Sequence, residues 1–136
     1  MADLLVVKDV AVRFPAMGLI EALLKGGERF LDAVLGVSFT LGQGETFGLV
    51  GESGSGKTTL ARAIRGLVKP HAGSIVFEDQ ELVGLGERAF RPVRRDVAMM
   101  FQDPVASLSP RLTVRSLLTE PFRIHRGKTG DLAAEA

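Results

Sequence analysis

TFGLVGESGSGKTTLARAI, residues Thr46 to Ile64, holds three kinds of sequence in nineteen residues. Thr46–Val50 is nearly all apolar, the pattern of a strand covered on both faces. From Lys57 to Val68 the spacing is helical, with Leu60, Ala61, Ile64 and Leu67 on one face and Arg62 and Arg65 on the other. Pro70 and Gly73 are expected to stop that helix. Between strand and helix, Gly51–Thr58 reads GESGSGKT and fits G-x-x-x-x-G-K-[ST] at every fixed position. The chemistry explains the spacing. Glycines let the backbone curl until its N–H groups face inward, where they hold phosphate oxygens. The helix starting at Gly56-Lys57 adds free N–H groups and the positive end of its dipole. Lys57 reaches the β- and γ-phosphates as a point charge, and the Thr58 hydroxyl is placed to ligate Mg²⁺. A glycine-rich chain produces such matches by chance, but a chance match does not come with a feeding strand and a departing helix.

The rest of the composition narrows the setting. The chain has 136 residues, 46% of them hydrophobic and 24% charged, which suits one globular domain. A net charge of +1 argues against a nucleic-acid binder that works by bulk charge. There is no cysteine, so disulfides and thiolate metal sites within the chain are excluded. No apolar run reaches bilayer length. Met1-Ala2-Asp3 lacks the basic start of a secretory signal, which points to a cytoplasmic chain.

Around the phosphate loop the reading continues in short elements. Leu4–Val12 is one bent strand or two, and Val34–Leu41 alternates like a strand. Pro15–Gly27 is a connection carrying an apolar patch, Leu19, Ile20, Leu23 and Leu24, with amphipathic spacing. Gly42-Gln43-Gly44 is a turn. Ser74–Phe77 is a strand ending in a turn at Glu78-Asp79-Gln80, and Glu87–Arg94 a helix despite Pro92. Val97–Phe101 reads as a second buried strand. Thr113–Glu120 is a helix capped by Thr113 and ended by Pro121. Residues 87–128 carry nine arginines and lysines against four carboxylates. Solvated helix faces account for them, with contact to a membrane surface or its proteins the alternative.

The stretch Val97–Val114, VAMMFQDPVASLSPRLTV, selects among phosphate-loop families. Together with GETFGLVGESGSGKTTLARAI it resembles the nucleotide-binding subunit of ATP-binding cassette (ABC) transporters, from about Leu4 to about Ile124. The F-Q-D-P step resembles importers for dipeptides, oligopeptides and nickel. The resemblance implies an α/β P-loop NTPase: a partial RecA-like core with an N-terminal antiparallel β region. It implies a β region over about 1–45, a P-loop core over about 46–101, and the Q-loop with the start of a helical subdomain over about 102–136. The cofactors it implies are ATP and Mg²⁺. It assigns phosphate contact to Gly51, Glu52, Ser53, Gly54, Ser55, Gly56, Lys57, Thr58 and Thr59, and metal contact to Thr58 and Gln102. Gln102 would be the Q-loop glutamine, reaching the metal and the attacking water and reporting nucleotide state to the membrane subunits. With Lys57 it forms the catalytic set. A neutral amide suits that place because it accepts from water and donates to phosphate without adding charge. Adenine would stack on an aromatic near the N-terminus, where Phe14 matches best and Phe30 is the rival.

Other parts of the family's pattern do not occur. No L-S-G-G-Q signature and no apolar strand ending in Asp-Glu follows Gln102, and neither His71 nor His125 is assigned as a switch histidine. The expectation is the N-terminal half of a cassette, without ATP turnover of its own and with Thr46–Val50 as an unpaired strand edge. In a complete subunit the partners would be a second nucleotide-binding subunit and transmembrane permease subunits, with no nucleic acid. The subunit would be cytoplasmic and peripheral at the inner face of the membrane. The alternatives are a soluble cassette protein with no transport role, and an inactive truncated cassette.

Overall fold

The computed structural model describes residues 3–16, 30–104 and 108–126, and packing divides the chain into two units, Met1–Arg94 and Arg95–Ala136. In the first unit β1 (Asp3–Pro15), β2 (Phe30–Gly42), β3 (Ala72–Phe77) and β4 (Gln80–Glu81) form one antiparallel sheet in the order β2-β1-β3-β4. Helix α1 (Lys57–Ile64) follows the phosphate loop, and α2 (Glu87–Asp96) runs to the boundary between the units. The connection after Pro15, with its apolar patch at Leu19–Leu24, lies outside the described residues.

Leu4–Val12 is one strand bent at a bulge. Leu5 and Val7 point inward, then Val10 and Val12, so the alternation skips one residue. Asp9 takes up the extra step with φ 49°. Its amide donates to Ser38 Oγ at 2.8 Å, and that hydroxyl donates to Asp9 Oδ1 at 3.1 Å, so side chains replace the lost ladder bonds. Val7, Val10, Val12 and Ile75 are each no more than 2% exposed. Val34 of β2, Leu60 and Ala63 of α1, Leu82, and Phe90 and Val93 of α2 complete the core of the described residues. Burial of each large side chain contributes about 1.5–3 kcal/mol.

Helix α1 is shorter than its periodicity predicts, ending at Ile64 rather than Val68. Gly66 stops it, not Pro70 or Gly73. Gly66 has φ 69°, its N–H donates to Ala63 O at 3.0 Å, and the Leu67 N–H donates to Arg62 O at 2.8 Å. These two bonds satisfy the last carbonyls in the paired closing motif of a helix C-terminus. The early stop also moves the buried face to Leu60 and Ala63, leaving Ala61 and Leu67 exposed.

Two segments read as buried strands are not strands. Thr46–Val50 and Val97–Phe101 carry no sheet pairing, and Val50 and Met100 are 93% and 84% exposed. An all-apolar parallel strand needs a neighbour on each side and a layer over each face. No strand among the described residues pairs with either. Thr46–Val50 is instead held to β2 by Phe47, whose ring stacks on Phe39 at 4.7 Å and 9°.

The β3–β4 turn forms at Glu78 and Asp79, both with positive φ (46° and 64°), as a two-residue hairpin requires. Just beyond it, Glu81 accepts from Ile75 N at 3.1 Å, from Val83 N at 2.8 Å and from the Ser74 hydroxyl. Burial pushes the Glu81 carboxyl up, but these bonds together outweigh it and hold the group below its ordinary value. A depressed folded value contributes stability above the unfolded carboxylate range, and that stability is lost as pH falls through the folded value. Glu81→Gln is therefore expected to lower the urea midpoint at neutral pH and to weaken its decline on acidification below about pH 4. Parallel acid-branch curves for the two proteins would refute this role.

Part of the basic stretch is used internally. Arg94 pairs with Glu87, its Nη2 donating to Glu87 Oε2 at 2.9 Å, and its guanidinium lies 5.5 Å over the Phe90 ring. Arg65 Nη2 donates to Arg94 O at 3.0 Å. The Arg94 hydrogen bond holds the Glu87 carboxyl low. In the second unit, α3 spans Val114–Arg126. Thr113 caps it as expected, its Oγ1 accepting from Ser116 N at 3.2 Å. Pro121 does not end it, because the helix runs through Pro121 to Arg126. A proline removes one backbone bond, but the turns around it continue.

Candidate phosphate-binding site

The loop Gly51–Gly56 is short, exposed and bent by two left-handed glycines, Gly54 (φ 83°) and Gly56 (φ 90°). Successive backbone N–H groups in such a bend face one concavity. Inside the curl, Lys57 Nζ donates to Gly51 O at 2.8 Å, Glu52 O at 2.6 Å and Ser55 Oγ at 3.1 Å. One ammonium thus gathers both ends of the loop around a positive charge. Ser55 N donates to Glu52 O at 3.2 Å and closes the turn. A Cβ on Gly51 would lie 2.8 Å from Ser55 Oγ, so any side chain there would fill the cradle.

The loop passes into α1 without a side-chain cap and without an acidic residue in the first turn, so nothing there competes with an anion for the helix N–H groups. Thr58 stands exposed in that first turn and Thr59 half-buried beside it. Below the loop, a Cβ on Gly56 would lie 2.1 Å from the Ala33 carbonyl, so β2 forms the floor. Gly51, Gly54, Ser55 and Lys57 line a cleft of about 500 Å³ together with Asp32, Ala33 and Leu35 of β2 and with Leu49 and Val50. A drug-sized or nucleotide-sized ligand needs such a volume.

Of the residues expected to act together, the structure gathers Gly51–Lys57 in one loop. Phe14 sits at the end of β1, paired in register with Leu31 and 39% exposed. Phe30 begins β2 with Arg13 stacked on it at 4.5 Å. Gln102 is exposed in the second unit, next to Asp103 and Pro104, and Val105–Ser107 lie outside the described residues. Sequence reasoning did not anticipate the β2 wall, Asp32, Ala33 and Leu35. No motif marks it, because only the strand register brings those residues to the loop. Among the described residues, no cluster of three or more His, Cys, Asp or Glu is arranged to hold a metal, and no helix is long and apolar enough to cross a membrane.

Comparison with known proteins agrees with the loop. The glutathione import ATP-binding protein GsiA of Salmonella paratyphi A is 45% identical over 132 residues, which are 97% of this chain and 21% of GsiA. The oligopeptide transport ATP-binding protein AppF of Bacillus subtilis is 47% identical over 124 residues, 90% of this chain and 36% of AppF. The chain thus spans between a fifth and about a third of the length of these relatives. Among solved structures, the dimeric structure of MJ0796, a bacterial ABC transporter cassette, aligns with a TM-score of 0.74 at 25% identity. That alignment covers 96% of this chain and 51% of the cassette. A post-hydrolysis dimer of MJ0796 bound to ADP and Pi aligns at 0.73 and 26%, over 93% of this chain and 50% of that one. The fold is therefore that of a P-loop NTPase cassette, represented here by its antiparallel sheet, phosphate loop and flanking helices. The ABC transporter sequence profile matches residues 34–135, from the middle of β2 to Glu135, and so the chain belongs to the ABC transporter family.

Proposed function

We propose that this chain is the ATP-binding end of an importer's cassette subunit, in which ATP binding and hydrolysis drive uptake of a peptide or related solute. The observation that carries the reading is the Lys57 ammonium gathered on Gly51 O, Glu52 O and Ser55 Oγ within a loop bent at Gly54 and Gly56. The relative named as a glutathione import ATP-binding protein supports the direction of transport, and the one named as an oligopeptide transport ATP-binding protein supports the solute class.

The chain's own residues divide the work. The loop amides from Gly51 to Thr59 hold phosphate oxygens, and Lys57 neutralises charge at the β- and γ-positions. The donor set suits Mg²⁺: the Thr58 hydroxyl is a hard oxygen in the first turn of α1, adjacent to Lys57. When bound, that ion neutralises charge on the phosphate oxygens. Gln102 orients water and links nucleotide state to the permease through the residues that follow it. Phe14, whose ring carries no cation among the described residues, stacks the base. The whole subunit would dimerise with a second cassette, as MJ0796 does in its solved structures, and would sit at the cytoplasmic face against permease subunits.

Calorimetric titration of the full chain with MgATP tests this. Binding is expected, and Phe14→Ala should weaken it about tenfold or more, since a base–aromatic stack is worth about 1–3 kcal/mol. Phe30→Ala should change it little, because one face of that ring is already covered by Arg13. Absence of MgATP binding overturns the reading, and the reverse order of the two variants transfers the base to Phe30.

A further inference from the structure

We infer that Asp32 is the sugar-reading residue of the cleft: its carboxylate accepts hydrogen bonds from the 2′- and 3′-hydroxyls of a ribonucleotide. The inference rests on the reading of Gly51–Thr58 as the phosphate site.

Position comes first. Asp32 lines the same cleft as Gly51, Gly54 and Lys57. The loop touches β2 at the Ala33 carbonyl, under Gly56. Asp32 is the next residue toward the start of β2, one strand step of about 3.3 Å away. Beyond it, Leu31 pairs with Phe14, the proposed base contact. Successive strand residues face opposite sides of the sheet, so Asp32 shares its face with Arg13 and Phe30 rather than with Leu31 and Phe14, and its place beside the phosphate loop rests on the cleft that they line together.

Availability comes second. In register Asp32 faces Arg13, and the two would ordinarily pair. They do not, because the Arg13 guanidinium lies 4.5 Å over the Phe30 ring. Among the described residues the exposed Asp32 carboxylate has no hydrogen bond or ion pair. Arg13 remains close enough to offset repulsion between that carboxylate and a triphosphate.

Chemistry selects the ligand group. An ionised carboxylate only accepts, through two oxygens. A vicinal diol offers two neighbouring donors and matches it. An adenine edge offers an amino group beside a ring nitrogen that would repel the second oxygen, and phosphate offers no donor at all. Hydrogen bonds from hydroxyls to an ionised carboxylate are the stronger class.

The experiment is calorimetric titration of the full chain with the magnesium salts of ATP, 2′-deoxyATP and 3′-deoxyATP, and with inorganic tripolyphosphate. The native chain is expected to prefer ATP about tenfold over each deoxy form. Asp32→Asn should erase that preference by weakening ATP alone, while tripolyphosphate binds no more weakly than before. Retained tripolyphosphate affinity also shows that the variant folds and keeps its loop. Equal affinity of the native chain for ATP and both deoxy forms overturns the inference but leaves the phosphate site standing. A preference that survives Asp32→Asn overturns it as well. Failure of ATP and tripolyphosphate to bind at all overturns the phosphate reading, and the inference with it.

Discussion

Lys57→Ala is expected to lower MgATP affinity at least tenfold and up to about a hundredfold, with little change in thermal stability. Hydrogen bonds from a charged donor are worth about 1.5–3 kcal/mol each, and the ammonium is already collected where phosphate oxygens would lie. Its three acceptors, Gly51 O at 2.8 Å, Glu52 O at 2.6 Å and Ser55 Oγ at 3.1 Å, also clamp the loop, so the variant loses charge and preorganisation together. The site is solvent-exposed, which limits the effect on folding. Lys57→Arg should not restore binding. A planar guanidinium cannot place one compact charge among three acceptors. Calorimetry with a parallel melting curve checks both halves. MgATP affinity unchanged in Lys57→Ala would contradict the assignment of the loop.

Gly56→Ala is expected to destabilise the first unit by about 2–5 kcal/mol, combining backbone strain with overpacking. A Cβ at Gly56 would meet the Ala33 carbonyl at 2.1 Å and Val34 Cγ2 at 3.3 Å, and Val34 is only 5% exposed. Neither neighbour is the free end of a flexible side chain, so α1 or β2 has to move. Gly54→Ala supplies the contrast. Gly54 has nearly the same φ, 83° against 90°, but a Cβ there would meet nothing within 4 Å. Its cost should be the strain alone, about 1–3 kcal/mol. Urea unfolding should therefore rank native above Gly54→Ala above Gly56→Ala, the last displaced by about 1 M or more. Equal midpoints for the two variants would mean that β2 is not the floor of the loop.

The loop itself was legible because its chemistry is local. Glycines at fixed offsets, a lysine and a threonine are enough to make a phosphate cradle, and the family resemblance needed only Gln102 and its neighbours in addition. The strands β1, β2 and β3 were legible for the same reason: their alternation and branched side chains encode a half-buried surface within a few residues. The cap at Thr113 is likewise a short-range hydrogen bond.

What failed in the reading depends on partners far along the chain. Thr46–Val50 and Val97–Phe101 have the composition of buried strands, but pairing is a property of two segments, and no described strand stands beside either. The stop of α1 turned on Gly66, which the helical periodicity passed over because Leu67 continued the pattern. Resemblance alone put Phe14 ahead of Phe30 in the sequence, and the Arg13 stack over Phe30 was not legible there because it depends on strand register. By itself the sequence determined where a phosphate-type loop forms, because the glycine spacing that bends it lies within eight consecutive residues. Only the tertiary structure decided what faces the phosphate loop. Antiparallel pairing and the Gly56–Ala33 contact bring Asp32 to the cleft across more than twenty residues, and no periodicity in the chain encodes that meeting.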